Sequence, residues 1–127
     1  MACSRPILIV DDDADVRDAL RDTLEDEGHL AVAVGDGPSA LHWLKQEPAP
    51  PCLILLDWNM APMNGAQVLK AIRTDPGLST LPVVLVTADA RIEEKSKTPG
   101  FAAALRKPVN LKALFEVVQR HCGDANT

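Results

Sequence analysis

The sequence contains no tyrosine, and only two phenylalanines and two tryptophans among its 127 residues. Aromatic rings bury the most area per side chain where they occur; at 3% aromatic, any core here must be aliphatic. No apolar run approaches the roughly 20 residues that a membrane-spanning helix needs. Basic residues are outnumbered, 13 Lys and Arg against 18 Asp and Glu, for a formal net charge of −5. That balance argues against non-specific binding to nucleic acid or to an anionic membrane as the main role. The opening Met1-Ala2-Cys3-Ser4-Arg5 leads directly into a strand-like run and lacks the long apolar core and cleavage site of a secretory signal. Cysteine is scarce as well. Cys3, Cys52 and Cys122 are odd in number, widely spaced and form no Cys-x-x-Cys pair. They read as small apolar or surface thiols, suited to a reducing cytoplasm rather than to a disulfide framework.

What is present is enough for one core. About 46% of residues are hydrophobic, and the length suits a single domain over 1–127, with its core at about 5–122. Five apolar runs recur: Ile7–Val10, Leu30–Val34, Leu53–Leu56, Val83–Val86 and Phe101–Leu105. The first, third and fourth are continuous rather than alternating, the pattern of strands buried on both faces of a parallel sheet. Between them lie helical stripes. Val16, Ala19, Leu20, Thr23 and Leu24 form the first, ended by Gly28; Ala40, Leu41 and Leu44 form the second, with Ser39 as its cap. Val68, Leu69 and Ile72 make a third, and Leu111, Leu114, Phe115 and Val118 a last one, capped by Asn110. Strand–helix alternation repeated five times predicts an α/β fold, with helices on both faces of a parallel sheet and right-handed crossovers.

Two stretches are less regular. Between Thr87 and Phe101 there is room for only about two turns of a fourth helix, at ~3.6 residues per turn. Ile92 is its one strong apolar anchor, and Ser96, Thr98, Pro99 and Gly100 end it early. Pro48-Ala49-Pro50-Pro51 reads as a stiff loop, and Gly123-Asp124-Ala125-Asn126-Thr127 as a frayed tail. No DNA-binding module follows Cys122, so a stand-alone protein and a domain cut from a longer regulator or hybrid kinase are both open.

Ligands of such folds sit outside the carboxyl ends of the strands. The residues there are Asp11, Asp12 and Asp13 after the first strand and Asp57 after the third. Thr87 and Ala88 follow the fourth, and Lys107 and Pro108 the fifth. Singly, each has an ordinary explanation: acids before a helix are usual caps, and Lys-Pro is a usual turn. Asp57 is the exception, because an acid directly after Cys-Leu-Ile-Leu-Leu is expensive unless paired or at the sheet edge. Together they make a specific set. Clustered carboxylates repel one another and invite a hard dication, and Mg²⁺ prefers oxygen ligands shared with phosphate. A lysine and a hydroxyl suit the remaining phosphoryl oxygens, and a carboxylate can itself accept a phosphoryl group.

The motifs Ile-Leu-Ile-Val-Asp11-Asp12, Asp36-Gly37-Pro-Ser-Ala-Leu, Leu-Asp57-Trp58-Asn59-Met60 with Gly65, Pro82-Val-Val-Leu-Val-Thr87-Ala88 and Lys107-Pro108 resemble the receiver domain of two-component response regulators, including the stand-alone chemotaxis receiver. The resemblance runs from Ile7 to about Cys122. It implies a flavodoxin-like, doubly wound five-stranded sheet in the order 2-1-3-4-5. It also implies a switch that catalyses only its own phosphorylation and dephosphorylation, with a sensor histidine kinase or a histidine phosphotransfer protein as donor. In that frame Asp57 is the phosphoacceptor and also a Mg²⁺ ligand, Asp12 binds Mg²⁺ directly, Asp11 binds it through water, and Asn59 offers its backbone carbonyl. Thr87 and Lys107 contact the phosphoryl group, Ala88 keeps the approach open, and the Lys107–Pro108 bond is cis. The first helix is the expected docking surface for the donor. A cytoplasmic protein, monomeric or weakly dimeric, is implied.

Four departures stand out. The proline usual four residues past the phosphoacceptor is Ala61 here, and Pro62 comes next, which predicts a changed loop path. Ala104 replaces the aromatic usual three residues before Lys107, so that toggle is missing. Phe101 follows Gly100 where a small residue is usual, and the fourth-helix region is about two residues shorter than in the chemotaxis receiver. The last three fall on the face of the fourth helix, fifth strand and fifth helix, which in the family engages targets. Readout is therefore expected through Thr87 and ordering of the fourth helix. Two rival readings remain. One is an interaction module that keeps the fold without phosphorylation. The other is a haloacid-dehalogenase-like phosphatase using Asp11 as nucleophile in an Asp11-x-Asp13 motif.

Overall fold

A computed structural model describes residues 5–46 and 50–123. The frayed-tail expectation for 124–127, the Pro48–Ala49 part of the stiff loop, and Cys3 lie outside the described residues. Five strands and five helices alternate: β1 Ile7–Val10, α1 Ala14–Asp26, β2 Ala31–Val34, α2 Gly37–Gln46, β3 Leu53–Leu56, α3 Gly65–Thr74, β4 Val83–Thr87, α4 Ile92–Ser96, β5 Ala103–Arg106 and α5 Leu111–Cys122. All pairings are parallel, in the order β2-β1-β3-β4-β5. The doubly wound α/β expectation holds.

β1, β3 and β4 are buried throughout, which is why their sequences do not alternate. Their side chains feed two aliphatic clusters, one on each face of the sheet. Ile7, Ile9, Leu53, Leu55, Val84 and Val86 face α1 and α5. Leu8, Val10, Ile54, Leu56 and Val83 face α2 and α3.

The caps follow local chemistry. Asn110 accepts from the Ala113 amide at 3.0 Å, as expected for α5. Gly28, just past α1, has φ +90°, the left-handed region that glycine adopts without strain. The Ser39 cap of α2 is corrected: the Asp36 carboxylate accepts from the Ser39 amide at 2.7 Å, and the helix already begins at Gly37. Pro38, with fixed φ and no N–H to satisfy, suits that first turn. The fifth run also shifts. Phe101 lies outside β5, because Gly100 before it has φ +113° and Arg73 of α3 grips the Gly100 carbonyl, turning the chain there. Leu30 likewise precedes β2, though its carbonyl accepts from the Ile7 amide.

The reading of the cysteines as unpaired thiols is wrong for two of the three. Cys52 and Cys122 form a disulfide, with Cα atoms 5.3 Å apart. Seventy residues separate them in sequence, and only the packing of α5 across the start of β3 brings them together.

Candidate functional site

Sheet register assembles the site. Val10 of β1 pairs with Leu56 of β3 and with Val34 of β2. The next residues, Asp11 and Asp57, therefore leave adjacent strands side by side. Their amides extend the ladder: Asp57 N–H donates to the Val10 carbonyl at 3.0 Å and Asp11 N–H to that of Val34 at 3.2 Å. Adjacent strands lie ~4.8 Å apart, and one carboxylate oxygen each from Asp11, Asp12 and Asp57 lies within 4.8 Å of the others.

Asp11 and Asp57 are buried and Asp12 is exposed. Lys107 joins the buried pair, with its ammonium 2.6 Å from Asp11 Oδ2 and 3.2 Å from Asp57 Oδ2. Burial is the largest influence on Asp11; it outweighs the hydrogen bond from Lys107 and raises the carboxyl pKa. On Lys107 burial opposes the charge, but Asp11 and Asp57 outweigh it and hold the ammonium above the ordinary lysine value. Asp57 Oδ1 also accepts from the Trp58 amide at 2.7 Å. An acid ending a buried strand is thus satisfied on both oxygens.

Two further strand ends close the site. Thr87 is fully buried at the end of β4, and its Oγ1 accepts from the Asp89 amide at 3.2 Å. The Thr87 carbonyl accepts from the Lys107 amide at 3.0 Å, which aligns β5 with β4 at this edge. Ala88 is exposed beside Thr87, so nothing bulky stands there. Ala104 pairs with Leu85 in mid-strand and is half buried. It borders an open hollow of about 370 Å³ that also touches Lys107 and Pro108. Asp13 does not join the cluster. Its carboxylate caps α1 by accepting from the Asp15 and Val16 amides, which leaves the Asp-x-Asp phosphatase motif without its second acid.

The loop after β3 is held by Gly65. A Cβ on Gly65 would lie 2.6 Å from the Asp57 carbonyl oxygen and 2.8 Å from Trp58 Cα, and its amide donates to the Trp58 carbonyl at 2.8 Å. Only glycine lets α3 start this close to the loop that carries Asp57 and Trp58. In that loop the Ala61–Pro62 peptide is cis, as is Lys107–Pro108.

Sequence reading missed a second polar cluster. Asp89 pairs with Lys95 of α4 and accepts from the Asn59 side-chain amide at 3.1 Å and the Arg91 amide at 2.8 Å. Lys95 lies 5.3 Å above the Trp58 ring, and Trp58 packs on Phe101 at 6.3 Å between centroids. Asp89 is held well below the usual carboxylate range, first by the hydrogen bond from Lys95. The signal was an acid two residues beyond the end of β4 and a lysine six further on. Arg17 was also missed: its guanidinium donates to the Asp11 carbonyl at 2.8 Å.

A family model for the response regulator receiver domain matches residues 7–119. This chain belongs to the response-regulator receiver family. The receiver is 33% identical over 117 residues to the chemotaxis protein CheY of Pseudomonas aeruginosa, covering 90% of this chain and 93% of that one. It is 39% identical over 118 residues to an uncharacterised 14.6 kDa protein of Leptolyngbya boryana, covering 91% of this chain and 88% of that protein. A solved response regulator receiver protein from Pseudomonas putida superposes with a TM-score of 0.85 at 30% identity, over 94% of this chain and 99% of that one. Receivers are signalling domains of two-component systems. Among the described residues, no helix is long and apolar enough to cross a membrane.

Proposed function

We propose that this receiver accepts a phosphoryl group on Asp57 from a phosphohistidine, in a Mg²⁺-dependent reaction in the cytoplasm, and signals it through Thr87 and α4. The observation that carries the reading is the three-carboxylate cluster with the Lys107 ammonium bridging Asp11 and Asp57. The donor set is all oxygen, carries more negative charge than one lysine offsets, and opens to solvent at Asp12. Those features fit a hard, partly hydrated dication. Asp12 and Asp57 would hold it directly, Asp11 through water, and Asn59 by its carbonyl. What a bound Mg²⁺ supplies is concentrated positive charge against the phosphoryl oxygens.

The protein's own groups do the rest. A carboxylate oxygen of Asp57 attacks phosphorus, the P–N bond of the phosphohistidine breaks, and the imidazole leaves with a proton. Lys107, already aimed at Asp57, neutralises a phosphoryl oxygen, and the exposed Ala88 leaves room for the group. The Thr87 hydroxyl can donate to another phosphoryl oxygen, which changes its hold on the Asp89 amide and so on the start of α4. Ala104 provides no ring to rotate. The donor docks beside the site, where a groove of about 250 Å³ runs between α1 and the β5–α5 loop, lined by Val16, Leu20, Lys107, Pro108, Val109 and Leu111. Leu111 is 52% exposed there, an apolar contact available to a partner helix.

The test is intact-protein mass after incubation with a small phosphodonor and Mg²⁺. A phosphoryl adduct that needs Mg²⁺ and disappears in Asp57→Asn is expected. Lys107→Ala should slow its formation on the order of 10²-fold, the usual loss of a positioned charge donor. An adduct that survives in Asp57→Asn and is lost in Asp11→Asn would overturn the assignment. No adduct under any condition would leave a receiver fold acting by protein binding alone. Readout through α4 is checked separately: equal hydrogen-exchange protection of residues 88–100 with and without a phosphoryl mimic would refute it.

A further inference from the structure

We propose that Cys52 and Cys122 form a reversible thiol–disulfide switch that clasps the last turn of α5 to the sheet, independently of the phosphoryl site. Cys52 directly precedes β3, and Cys122 is the last residue of α5. Both are buried in the cluster between α5 and the sheet, with Leu53, Leu114 and Val118. The bond joins two parts of the fold that are otherwise held in different ways.

The Cys52 side is fixed whatever its redox state. Its amide donates to the Pro6 carbonyl at 3.0 Å. The Arg5 guanidinium donates to the carbonyls of Pro50 at 2.9 Å and Pro51 at 2.7 Å, pinning the segment just before it. Cys52 Sγ lies 3.6 Å from the Arg5 carbonyl oxygen, an acceptor to which a reduced thiol can donate. Reduction therefore leaves no polar group stranded there.

The Cys122 side is the movable one. Gly123 follows at φ +75°, and its amide closes the helix on the Gln119 carbonyl at 2.9 Å. The last carbonyls of a helix have no partner within it, so terminal turns fray first. Fraying exposes Cys122 to a small disulfide of the oxidised-glutathione class. The Cys122 thiolate attacks one sulfur of that disulfide, giving a mixed disulfide and releasing one small thiol. The Cys52 thiolate then attacks Cys122 sulfur, forms the protein bond and releases the second small thiol. The two electrons reside in the two small thiols, which also take up the two protons. Excess small thiol runs the same exchange backwards. In a reducing compartment a disulfide of this kind is transient and sensing rather than architectural.

Position makes the switch selective. Cys52 and Asp57 sit at opposite ends of β3, five residues apart in sequence, about 16 Å at ~3.3 Å per residue. Oxidation grips the amino edge and α5, and leaves the carboxyl edge where it was.

The experiment uses the full chain in a Cys3→Ser background, equilibrated in buffers of graded reduced-to-oxidised glutathione ratio. Thiols are then alkylated and read by intact mass, with amide hydrogen exchange followed in parallel. The protein disulfide should track the ratio, and reduction should lower Tm by about 10 °C, as loss of a long closed loop does. Amides of residues 117–123 should exchange at least tenfold faster when reduced, with β1 and β3 unchanged. Cys122→Ser should reproduce the reduced pattern in every buffer. If that variant fails to fold, the alkylation and exchange titration of the Cys3→Ser protein decides alone. A bond that forms at no ratio, one that opens only with global unfolding, or equal exchange of 117–123 in both forms would overturn the proposal. None of these readouts involves a phosphoryl group, so failure here leaves the assignment of Asp57 untouched.

Discussion

Helices α3 and α4 both follow strands whose last residues enter the site, yet they are built to opposite specifications. α3 has ten residues and a complete capping box, in which the Asn64 side chain accepts from the Gln67 backbone N–H and the Gln67 side chain accepts from the Asn64 backbone N–H. It buries Gly65, Val68, Leu69 and Ile72. α4 has five residues, no side-chain hydrogen bond at its Arg91 N-cap, and one buried residue, Ile92. A helix this short is not stable by propensity and depends on what holds it from outside. What holds it is a polar tie, Asp89 with Lys95 and Asn59. The helix that follows Asp57 is thus anchored by apolar packing, and the helix that follows the buried Thr87 mainly by a few polar contacts. The switch proposed above would use both kinds of support: a fixed acceptor, and an element drawn from the low-stability end of the molecule.

The largest test of that contrast lies in the two buried isoleucines. Ile72→Ala removes a fully buried side chain and should lower global stability by about 2–5 kcal/mol in urea unfolding. Ile92→Ala deletes the same atoms but should cost less than half as much, its main effect being faster hydrogen exchange at residues 88–98. Equal global losses would break the contrast. Next in size is the capping box: Asn64→Ala should cost about 1 kcal/mol. Arg91→Asp, which offers α4 the side-chain cap it lacks, should slow local exchange there without shifting the global midpoint by more than about 0.5 kcal/mol.

The smallest effect is a pH dependence confined to α4. Asp89 titrates below its ordinary value of 3.8, because Lys95, the Arg91 amide and Asn59 all favour its charged form. A carboxylate depressed in the fold adds stability that is present above the ordinary value and lost as pH falls below it. Exchange at α4, corrected for intrinsic rates, should therefore rise as pH drops below about 3.8. In Asp89→Asn that dependence should vanish. α3, capped by a neutral asparagine, should show no matching step.

Much of this was legible in the residue order. The continuous runs Ile7–Val10 and Leu53–Leu56 are the strands themselves, because a strand buried on both faces leaves no room for polar alternation. Asp11, Asp12, Asp57, Thr87 and Lys107 converge because parallel strands must all present the same end. The weak fourth helix was visible from its single apolar anchor. The misses have a common cause: they depend on packing across long separations or on competition between neighbours. Cys52 meets Cys122 only after two crossovers, through α3 and α4, lay α5 over β3. Asp36 takes the cap from Ser39 because Pro38 fits the first turn. Phe101 leaves the fifth strand because Arg73, on a distant helix, grips Gly100.

The ladder bonds that run into the site, from the Asp57 amide to Val10 and from the Asp11 amide to Val34, make the sheet a ruler for the chemistry. The spacing of the acids is a count of residues along strands, and one residue added to or removed from β1 or β3 would turn a carboxylate to the other face. Loops at the opposite, amino edge lie outside that count. Changes in chain length should therefore be tolerated there and lethal to signalling at the carboxyl edge, which makes the amino-edge loops the natural entry points for inserting a sensor or a tag.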